Sequence, residues 1–299
     1  MSLNLEIKPS NHSNNPVVSI LMTVYNREKY ISEAIESVLA STYTDFELII
    51  ADDSSTDRSL AIANEYAAND ARIKVRKNEQ NLGDYPNRNH ASTYATGKYI
   101  MYVDSDDTLN QDAIEYIMQQ FTKYPEARFA TIYQQQDIKS AVILSSKESI
   151  HKHFFIHHFL DNGPGGSIIE RNYFNSIGKF PTTYGSANDM YYNIKAAINS
   201  PIILLPYVYL YWRRHEGQEV HDGYPYLYNN YRYMEDVLLL TELPITLKER
   251  KKLLLQNKRR LIVHSLVYLK NTGAFGKFFK AYKLAGIGFN DVLRGVFYV

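Results

Sequence analysis

The stretch of sequence that decides the fold runs from Val17 to Asn26 and reads VVSILMTVYN. Its first six residues form a nearly continuous apolar run, which is typical of a strand buried on both faces of a parallel sheet. A short polar loop follows, and apolar residues then recur at helical spacing between Ile31 and Leu39. Asn26 belongs to the residue types that cap helices, so we expect it to begin this helix. The stretch therefore predicts a strand, a tight loop and a helix.

The same unit recurs further along the chain. Apolar runs at 46–51 and 99–103 predict two more buried strands, and the alternating run at 72–76 predicts a strand nearer the edge of the sheet. Gly97 is expected to end the helix that precedes the last of these strands. Strands that alternate with helices in this way predict an α/β fold with a doubly wound, mostly parallel sheet flanked by helices.

Composition limits the classes of function. The 299 residues include no cysteine, so a metal ion would have to be held by carboxylates, imidazoles or water, which favours a hard, oxygen-preferring ion. A net charge of +1 argues against nucleic acid as a partner. The N-terminus lacks the apolar core of a signal peptide, and no run of about 18 apolar residues predicts a spanning helix. We therefore expect a cytoplasmic protein.

Carboxylates cluster where the predicted strands end. Ligands bind at the carboxyl ends of the strands in doubly wound sheets, so the loops of interest are Thr23–Asn26, Asp52–Ser55 and Asp104–Asp107. Adjacent buried carboxylates repel each other unless a cation or hydrogen-bond donors accompany them. Asp104 and Asp106 can point the same way at a strand end, an arrangement that suits Mg²⁺ or Mn²⁺. The same spacing also occurs in capped turns, so spacing alone leaves both interpretations open.

Taken in order, these loops and their neighbours resemble those of glycosyltransferase family 2. The motifs that carry the resemblance are Val18-Ser19-Ile20 with Tyr25-Asn26-Arg27, Asp52-Asp53-Ser54-Ser55-Thr56-Asp57, Asn81-x-Gly83 with Arg88-Asn89, Gly97-Lys98-Tyr99-Ile100, and Asp104-Ser105-Asp106-Asp107. They match in order and spacing over roughly residues 17–110, with Ser54 where the family usually has glycine. The resemblance implies the GT-A fold, a nucleoside-diphosphate-sugar donor, UDP-sugar foremost, a divalent metal ion (Mn²⁺ or Mg²⁺) and inversion at the anomeric carbon.

The resemblance also implies roles for individual residues. Those expected to contact the nucleotide sugar are Thr23, Tyr25, Asn26, Asp52, Asp53, Arg88, Asp104, Ser105 and His215. Asp52 or Asp53 would accept a hydrogen bond from the nucleobase. Asp104 and Asp106 would hold the metal ion, with Asp106 as the direct ligand, whereas Asp107 is expected to cap the next helix.

The second half of the chain is less similar to the family. Gly165-Gly166-Ser167-Ile168 and Ile177-Gly178-Lys179-Phe180 look like the acceptor-side segment, which leads to Asn188 and Asp189. The family's catalytic base stands at the second of these positions, so the resemblance implies that Asp189 is the base, although Asn188 replaces the usual Glu. We expect Asp189 in the first turn of a helix, where the helix dipole favours the ionised carboxylate. For His215, contact with the diphosphate and an ordinary loop position stay open.

Four segments are expected along the chain. They are a flexible N-terminal segment at 1–16, a nucleotide-sugar-binding half at 17–125, an acceptor-side half at 126–224 and a C-terminal helical extension at 225–299. Within the acceptor-side half, the sequence predicts a helix over 151–160.

The C-terminal extension is strongly basic. Residues 248–283 contain eleven Lys or Arg and one acid, a net charge of about +10. Thr246 and Glu249 form a capping-box pattern, and the apolar stripe of the helix that follows is predicted at Leu255, Ile262, Leu266 and Leu269. Two interpretations stay open. The extension contacts an anionic membrane at its inner face, near a lipid-linked acceptor, or it packs on the core with a solvated basic face.

These features together predict a metal-dependent glycosyltransferase that acts on a glycan or lipid-linked acceptor in cell-surface polysaccharide or glycolipid synthesis. A non-catalytic nucleotide-sugar-binding protein is the alternative if Asn188 marks a lost active site. A sugar nucleotidyltransferase is a weaker alternative, because the loop Thr23–Arg27 lacks the glycines that a triphosphate-binding loop needs. The sequence gives no indication of the oligomeric state.

Overall fold

The computed structural model describes residues 15–135, 137–214 and 223–288. The strands in these ranges are β1 (Val18–Val24), β2 (Phe46–Asp52), β3 (Ile73–Lys77), β4 (Tyr99–Tyr102), β5 (Thr108–Leu109), β6 (Phe129–Ile132), β7 (Val142–Leu144), β8 (Ser167–Glu170), β9 (Ile202–Leu205) and β10 (Leu210–Tyr211). Eight of them form one sheet in the order β3-β2-β1-β4-β8-β6-β9-β7, and β5 pairs with β10 separately. The predicted flexible segment at 1–16 falls almost wholly outside the described residues.

The first half of the sheet is parallel, as the sequence predicts. β1 lies between β2 and β4 and runs parallel to both, while β3 pairs with β2 at the edge. Every residue of β2 is buried, and β1 is buried at all positions except Thr23. β3 exposes its last two residues, which agrees with its predicted place near the edge. The continuous apolar runs therefore mark the strands that helices cover on both faces.

The second half of the sheet is mixed. β8 lies between β4 and β6 and runs antiparallel to both, β9 is parallel to β6, and β7 is antiparallel to β9 at the other edge. Because β8 runs opposite to β4, its first residues lie beside the carboxyl end of β4. The glycine-containing loop that precedes β8 is thereby placed next to the Asp104–Asp107 loop.

Helices cover both faces of the sheet. They are α1 (Ile31–Leu39), α2 (Ser59–Asn69), α3 (Asp84–Ala91), α4 (Ala113–Lys123), α5 (Ser146–Phe155), α6 (Arg171–Ser176), α7 (Asn188–Ile198), α8 (Gly223–Leu239), α9 (Leu247–Thr272) and α10 (Phe275–Leu284). Successive residues of β1 belong to different cores: Ile20 and Met22 pack in the cluster that contains α1 and α4, and Leu21 in the one that contains α3 and α7. Alternation along the strand thus builds a core on each side of the sheet.

Two predicted helix limits are wrong for identifiable reasons. α3 ends at Ala91, well before Gly97, and Gly97 instead lies against β1, where a Cβ atom would be 2.6 Å from the backbone nitrogen of Ser19. This glycine therefore allows two segments of backbone to approach closely. The helix expected over 151–160 spans Ser146–Phe155, because Ser145 caps it through a reciprocal pair of hydrogen bonds with Glu148.

The C-terminal extension is helical, and the capping box at Thr246 is present as predicted. The predicted apolar stripe is only partly right, since Leu255 is 65% exposed and Leu266 is 37% exposed. The residues of α9 that are buried are Leu253, Asn257, Leu261, Ile262 and Ser265. Most of these follow a spacing of four, and the chain's periodicity alone did not show which face the neighbouring helix α8 would cover. Among the described residues, no helix combines the length and apolar character needed to cross a membrane.

Candidate active site

Hydrogen bonds link the loops at the ends of β1, β2 and β4. The backbone nitrogen of Asn26 donates to Ser55 Oγ over 3.0 Å, which joins the loops that follow β1 and β2. Arg27 Nε donates to Asp106 Oδ2 over 3.0 Å, which joins the loop after β1 to the loop after β4. The three loops that the sequence singled out therefore form one continuous surface at the carboxyl edge of the parallel strands.

Asn26 organises the first loop and does not cap α1. Its φ is 53°, in the left-handed region that Asn tolerates better than most residues. Its Oδ1 accepts a hydrogen bond from the backbone nitrogen of Thr56 over 2.8 Å, so the side chain serves the contact between loops. The predicted helix cap is therefore wrong. Nearby, Thr23 is half-buried and Tyr25 is 46% exposed, which leaves the Tyr25 ring open to solvent at the edge of the loop.

The two aspartates at the end of β2 have different surroundings. The Asp53 carboxylate accepts hydrogen bonds from Asn78 Nδ2 (2.7 Å) and from the backbone nitrogens of residues 82–83 (2.9 Å each), so it shapes the loop that leads into α3. Asp52 is fully buried, and its Oδ1 accepts from the backbone nitrogen of Ser55, but its Oδ2 has no partner. A buried carboxylate oxygen without a donor is costly, so Asp52 is the better suited of the pair to accept a hydrogen bond from a ligand.

Ser54 explains one departure from the resembled family. Its φ of 62° lies in the left-handed region that favours glycine, the residue usual at this place. Ser54 Oγ donates to the backbone oxygen of Asn78 over 2.9 Å, which helps to offset the strain. Asn78 also donates through Nδ2 to Asn87 Oδ1 over 2.9 Å, so the loop after β2 is tied to α3.

Arg88 lies in the middle of the site. It is 7% exposed, and its guanidinium donates to Asp84 Oδ1 over 2.8 Å and to Asp104 Oδ1 over 2.6 Å. Burial works to lower the pKa of Arg88, but the neighbouring carboxylates outweigh it and hold the pKa well above its usual value. The position differs from that of an ordinary surface arginine on a helix, because the charge is buried and shared between two carboxylates.

The predicted metal motif, Asp104-Ser105-Asp106, occupies the turn that follows β4. Burial raises the pKa of Asp104 above its ordinary value, although the Arg88 charge opposes this shift. Ser105 is buried in the turn, and Asp106 pairs with Arg27. Both aspartates of the motif therefore already face a cation.

The described residues supply two carboxylates for a metal ion, and they contain no group of three or more His, Cys, Asp or Glu side chains that could hold one. Carboxylate oxygen is the ligand that Mg²⁺ and Mn²⁺ prefer, and Asp104 and Asp106 each lie within 3.0 Å of a guanidinium nitrogen, at positions that attract cations. The remaining oxygens of the coordination sphere would have to come from water and a diphosphate. The residues present therefore fit an ion that binds together with a nucleotide.

Asp107 does not cap α4, the helix that follows. Its Oδ1 accepts from the backbone nitrogen of Arg213 over 3.0 Å, and Arg213 Nε donates to the backbone oxygen of Asp106 over 3.0 Å. Burial, together with the neighbouring carboxylates, raises the pKa of Asp107 to about 7. The predicted cap is wrong because this carboxylate holds the segment after β10 against the metal motif. His215, two residues further on, lies outside the described residues, and its role stays a prediction.

Asp189 lies in the first turn of α7, as predicted, and is 9% exposed. Its Oδ1 accepts from the backbone nitrogen of Met190 over 2.7 Å. Burial raises the pKa of Asp189 to about 7, although the Met190 N–H, the Tyr85 hydroxyl and the Arg88 charge all act to lower it. The expectation that the helix terminus would keep the carboxylate in its ionised form is not met, because desolvation outweighs it.

Glycines separate Asp189 from the end of β4. A Cβ atom at Gly163 would lie 3.9 Å from Asp189 Oδ2, and one at Gly165 would lie 3.5 Å from the backbone oxygen of Tyr102. The nearest atom to a Cβ at Gly165 would be Leu210 Cδ2, at 2.6 Å. The glycine-containing loop therefore lies close to the end of β4, to β10 and to Asp189.

Asn188, which stands where the family usually has Glu, is 2% exposed. Its Oδ1 accepts a hydrogen bond from the backbone nitrogen of Tyr184 over 2.9 Å. The side chain therefore stabilises the turn before α7 and does not cap the helix. It leaves Asp189 in place in the helix's first turn.

Two charged residues of the site were not among the predicted ones. Asp84 pairs with Arg88 at a spacing of four on one helix, a pattern that the sequence displays and that could have indicated the pair. Arg27 pairs with Asp106 across 79 positions of the chain, so no local spacing could have shown it. Sequence patterns reveal partners within an element more readily than partners between loops.

Comparison with known sequences covers part of the chain. The sequence model of glycosyl transferase family 2 matches residues 19–178. EpsE of Bacillus subtilis (strain 168) is 45% identical over 93 residues, which is 31% of this chain and 34% of EpsE. A chondroitin synthase of Escherichia coli is 42% identical over 108 residues, which is 36% of this chain and 16% of the synthase. The similarity thus spans about a third or less of the length of these relatives.

Comparison with solved structures covers nearly the whole chain. TarS residues 1–349 of S. aureus, in complex with UDP-GlcNAc, superpose with a TM-score of 0.69 at 21% identity, covering 93% of this chain and 81% of that one. The mannosyltransferase PcManGT from Pyrobaculum calidifontis, in complex with GDP-Man and Mn²⁺, gives a TM-score of 0.62 at 16% identity, covering 91% and 75%. At these identities the likeness concerns the fold, and it confirms the expected GT-A architecture with C-terminal helices.

Proposed function

This chain belongs to glycosyltransferase family 2, and we propose that it transfers a sugar from a nucleoside-diphosphate sugar to an acceptor hydroxyl with inversion. One observation carries the proposal: the buried Arg88 donates a hydrogen bond to Asp104 of the predicted metal motif, and its positive charge also acts to lower the pKa of Asp189. Transfer requires a group that receives a departing diphosphate and a base that takes the acceptor's proton. Arg88 is the residue proposed for the first role and Asp189 the residue proposed for the second.

The donor is proposed to be a UDP-sugar. Uracil carries one N–H group between two carbonyl oxygens, and Asp52 Oδ2 is a buried acceptor without a donor at the end of β2. The exposed ring of Tyr25 lies on the adjoining loop, where it can stack on a base. The complex of TarS with UDP-GlcNAc supports this choice of nucleotide.

Asp106, with Asp104, is proposed to hold a divalent metal ion. The presence of Mn²⁺ in the complex of the mannosyltransferase PcManGT supports this proposal. When bound, the ion would neutralise negative charge on the departing diphosphate. Arg88 supplies a second positive charge in the same cleft, and because it is buried and already held by two carboxylates, it needs little reorganisation to act.

Asp189 is proposed to be the general base. The acceptor oxygen forms a bond to the anomeric carbon while the bond from that carbon to the diphosphate oxygen breaks. The acceptor's proton passes to the Asp189 carboxylate, and the negative charge leaves on the diphosphate. A pKa of about 7 makes this carboxylate a stronger base than an exposed aspartate, while about half of the molecules stay ionised at neutral pH.

The acceptor is proposed to be a glycan or lipid-linked glycan in cell-surface polysaccharide synthesis, which the similarity to a chondroitin synthase supports. Peripheral contact with an anionic membrane would bring the chain to such an acceptor. On α10, Phe275 and Phe279 are 63% and 64% exposed beside the exposed lysines Lys277, Lys280 and Lys283. Exposed aromatic rings next to lysines suit the surface of an anionic bilayer.

Calorimetric titration with UDP, with and without Mn²⁺, tests the donor and metal assignments. We expect Mn²⁺ to strengthen UDP binding about tenfold or more, because the ion adds a charge-assisted contact to the diphosphate. Asp106→Ala should remove this dependence on Mn²⁺. Asp137→Ala is the matched control, since Asp137 is an exposed aspartate paired with Lys152, and it should behave like the wild-type protein.

A variant Asp106→Ala that keeps the full dependence on Mn²⁺ would overturn the metal assignment.

A thermal-shift screen of UDP- and GDP-sugars identifies the donor by the largest increase in melting temperature. Release of UDP from that donor distinguishes an enzyme from a protein that only binds nucleotide sugars, and no release with any acceptor would favour the latter.

A further inference from the structure

Arg27 connects the loop after β1 to the start of α2 and to the loop after β4. Its backbone nitrogen donates to Ser59 Oγ (2.7 Å), its Nη1 donates to the backbone oxygens of Tyr25 and Asn26 (3.2 Å each), and its Nε donates to Asp106 Oδ2 (3.0 Å). The main chain of Arg27 is therefore anchored at the start of α2, while its guanidinium reaches the metal motif from the first loop.

The two arginines on the metal motif differ in burial. The Arg27 side chain is 30% exposed, whereas that of Arg88 is 8% exposed and is held by two carboxylates. The carboxylate that pairs with Arg27 is Asp106, whose side chain is 14% exposed. Arg27 is the more exposed of the two arginines, so moving its guanidinium away from a carboxylate disturbs less buried surface than the same movement of Arg88 would.

The Arg27 guanidinium donates to one oxygen of Asp106, the carboxylate proposed to bind the metal ion. Asp106 stands beside Asp104 and Asp107, and an ionised cluster of this kind is unfavourable unless cations accompany it. A divalent ion on Asp106 would repel the guanidinium at the same oxygen. A diphosphate bound to that ion would attract it, because a guanidinium donates two parallel hydrogen bonds to phosphate oxygens.

We infer that Arg27 is an internal counter-cation of the metal motif: it pairs with Asp106 when no metal is bound, and it moves to the donor's diphosphate once a divalent metal ion takes Asp106. The inference rests on the proposed function and adds to it a positioning residue that links the nucleotide-binding loop to the metal motif. Metal and Arg27 compete for one carboxylate, whereas metal and nucleotide together give Arg27 a new partner.

This exchange predicts opposite effects on two ligands. Removing the guanidinium takes away a competitor, so binding of Mn²⁺ alone should become tighter, by about three- to fivefold for a partly exposed ion pair. Removing it also takes away a donor to the diphosphate, so binding of UDP at saturating Mn²⁺ should become weaker, by about tenfold or more. A purely structural role for Arg27 would weaken both.

The test measures Mn²⁺ binding by electron paramagnetic resonance and UDP binding at saturating Mn²⁺ by calorimetry. The variant Arg27→Gln removes the charge. The variant Arg27→Lys keeps the charge but cannot donate two parallel hydrogen bonds. Its affinities for Mn²⁺ and UDP should lie between those of Arg27→Gln and of the wild-type protein. Arg58→Gln is the matched control, because Arg58 has a 73% exposed side chain paired with Glu65 at the start of α2. It should leave both affinities unchanged.

Tighter Mn²⁺ binding together with weaker UDP binding in Arg27→Gln supports the inference. Unchanged Mn²⁺ binding, or weakening of both ligands, overturns it while leaving the proposed function standing. Failure of the wild-type protein to bind UDP in the presence of Mn²⁺ overturns the proposed function, and the inference falls with it.

Discussion

The two halves of the site position their charged groups in different ways. In the proposed nucleotide-binding half, 17–125, two charged groups are each held by several partners: Asp53 accepts three hydrogen bonds, and Arg88 donates to two carboxylates. In the proposed acceptor-side half, 126–224, the Asp189 carboxylate accepts from the backbone nitrogen of Met190, and burial raises its pKa although the Tyr85 hydroxyl and the Arg88 charge oppose the shift. Protein hydrogen bonds therefore fix Asp53 and Arg88 in position, whereas Asp189 is distinguished by its raised pKa.

This difference separates binding from reactivity. A charged group whose hydrogen bonds are satisfied by protein is held in position, so its charge acts on a ligand with little reorganisation. A buried carboxylate with few donors is costly for the folded state but available to take a proton. We therefore expect substitutions in the first half to affect stability or nucleotide affinity, and those at Asp189 to affect the rate of transfer.

The largest effect on stability is expected at Asp53. Asp53→Ala removes the acceptor of one buried and two partly buried donors, so it should lower the free energy of unfolding by about 3 kcal/mol, as measured by urea denaturation. Asp52→Asn is the matched change at the neighbouring position. Since Asp52 accepts one hydrogen bond and has one unpartnered oxygen, the change should cost about 1 kcal/mol or less and weaken UDP binding about tenfold or more.

Equal losses of stability in Asp53→Ala and Asp52→Asn would contradict the distinction between Asp53, which stabilises the loop, and Asp52, which is proposed to bind the ligand. Retention of full UDP affinity in Asp52→Asn would show that the nucleobase binds elsewhere.

The next largest effect is expected on the rate of transfer. Asp189→Asn should lower the turnover number by about 10²-fold or more, the scale typical of losing a general base, and leave UDP affinity unchanged. The measurement is UDP release at saturating donor and acceptor, with calorimetric UDP binding as the control. Near wild-type turnover would show that another residue is the base. A loss of UDP affinity would show that Asp189 contributes to nucleotide binding.

Asp189→Asn should also alter the dependence of stability on pH. The pKa is raised to about 7 in the folded state, above the ordinary value near 4, so the folded state resists ionisation and stability is lost as pH rises between these values. The neutral amide removes this cost. The variant should therefore gain stability relative to the wild-type protein at pH 8, by about 2–4 kcal/mol, and little at pH 4.

A smaller effect concerns the C-terminal helices. Vesicles that contain anionic lipid should bind the protein at low salt, and replacing Phe275 and Phe279 by Ser should weaken binding by about 1 kcal/mol or more. High salt should weaken it as well, because the lysines of α10 act through charge. Ile156→Ser is the matched control, since Ile156 is 58% exposed on another part of the surface. No binding to anionic vesicles at low salt would contradict the proposed membrane contact.

The parallel half of the fold could be predicted from the sequence because buried strands are continuous apolar runs and the loops between them carry a recognisable order of acids. Residues 46–51 and 99–103 were placed within a residue or two of β2 and β4. The roles of Asn26, Gly97 and Asp107 were mistaken because each depends on a residue far along the chain, Thr56, Ser19 or Arg213, that no local pattern reveals.

The chemistry of Asp189 was only half predictable. Its place in the first turn of α7 could be predicted from the sequence, and so could the glycine-containing loop that precedes it. Its raised pKa did not, because that shift depends on how much of the carboxylate the neighbouring elements cover. The same reason explains the partly mistaken stripe on α9: Leu255 and Leu266 have helical spacing, but α8 covers a different face.

The dependence of the turnover number on pH tests most directly whether a buried aspartate of altered pKa drives the reaction. With Asp189 as the base, the rate at saturating donor, acceptor and Mn²⁺ should rise about tenfold per pH unit below pH 7 and level off above it, because only the ionised carboxylate can take the proton. Asp107→Asn should keep this profile, since Asp107 also has a pKa of about 7 but serves the contact with Arg213. A rate independent of pH between 5.5 and 8.5, or a rise that disappears in Asp107→Asn, would contradict the account.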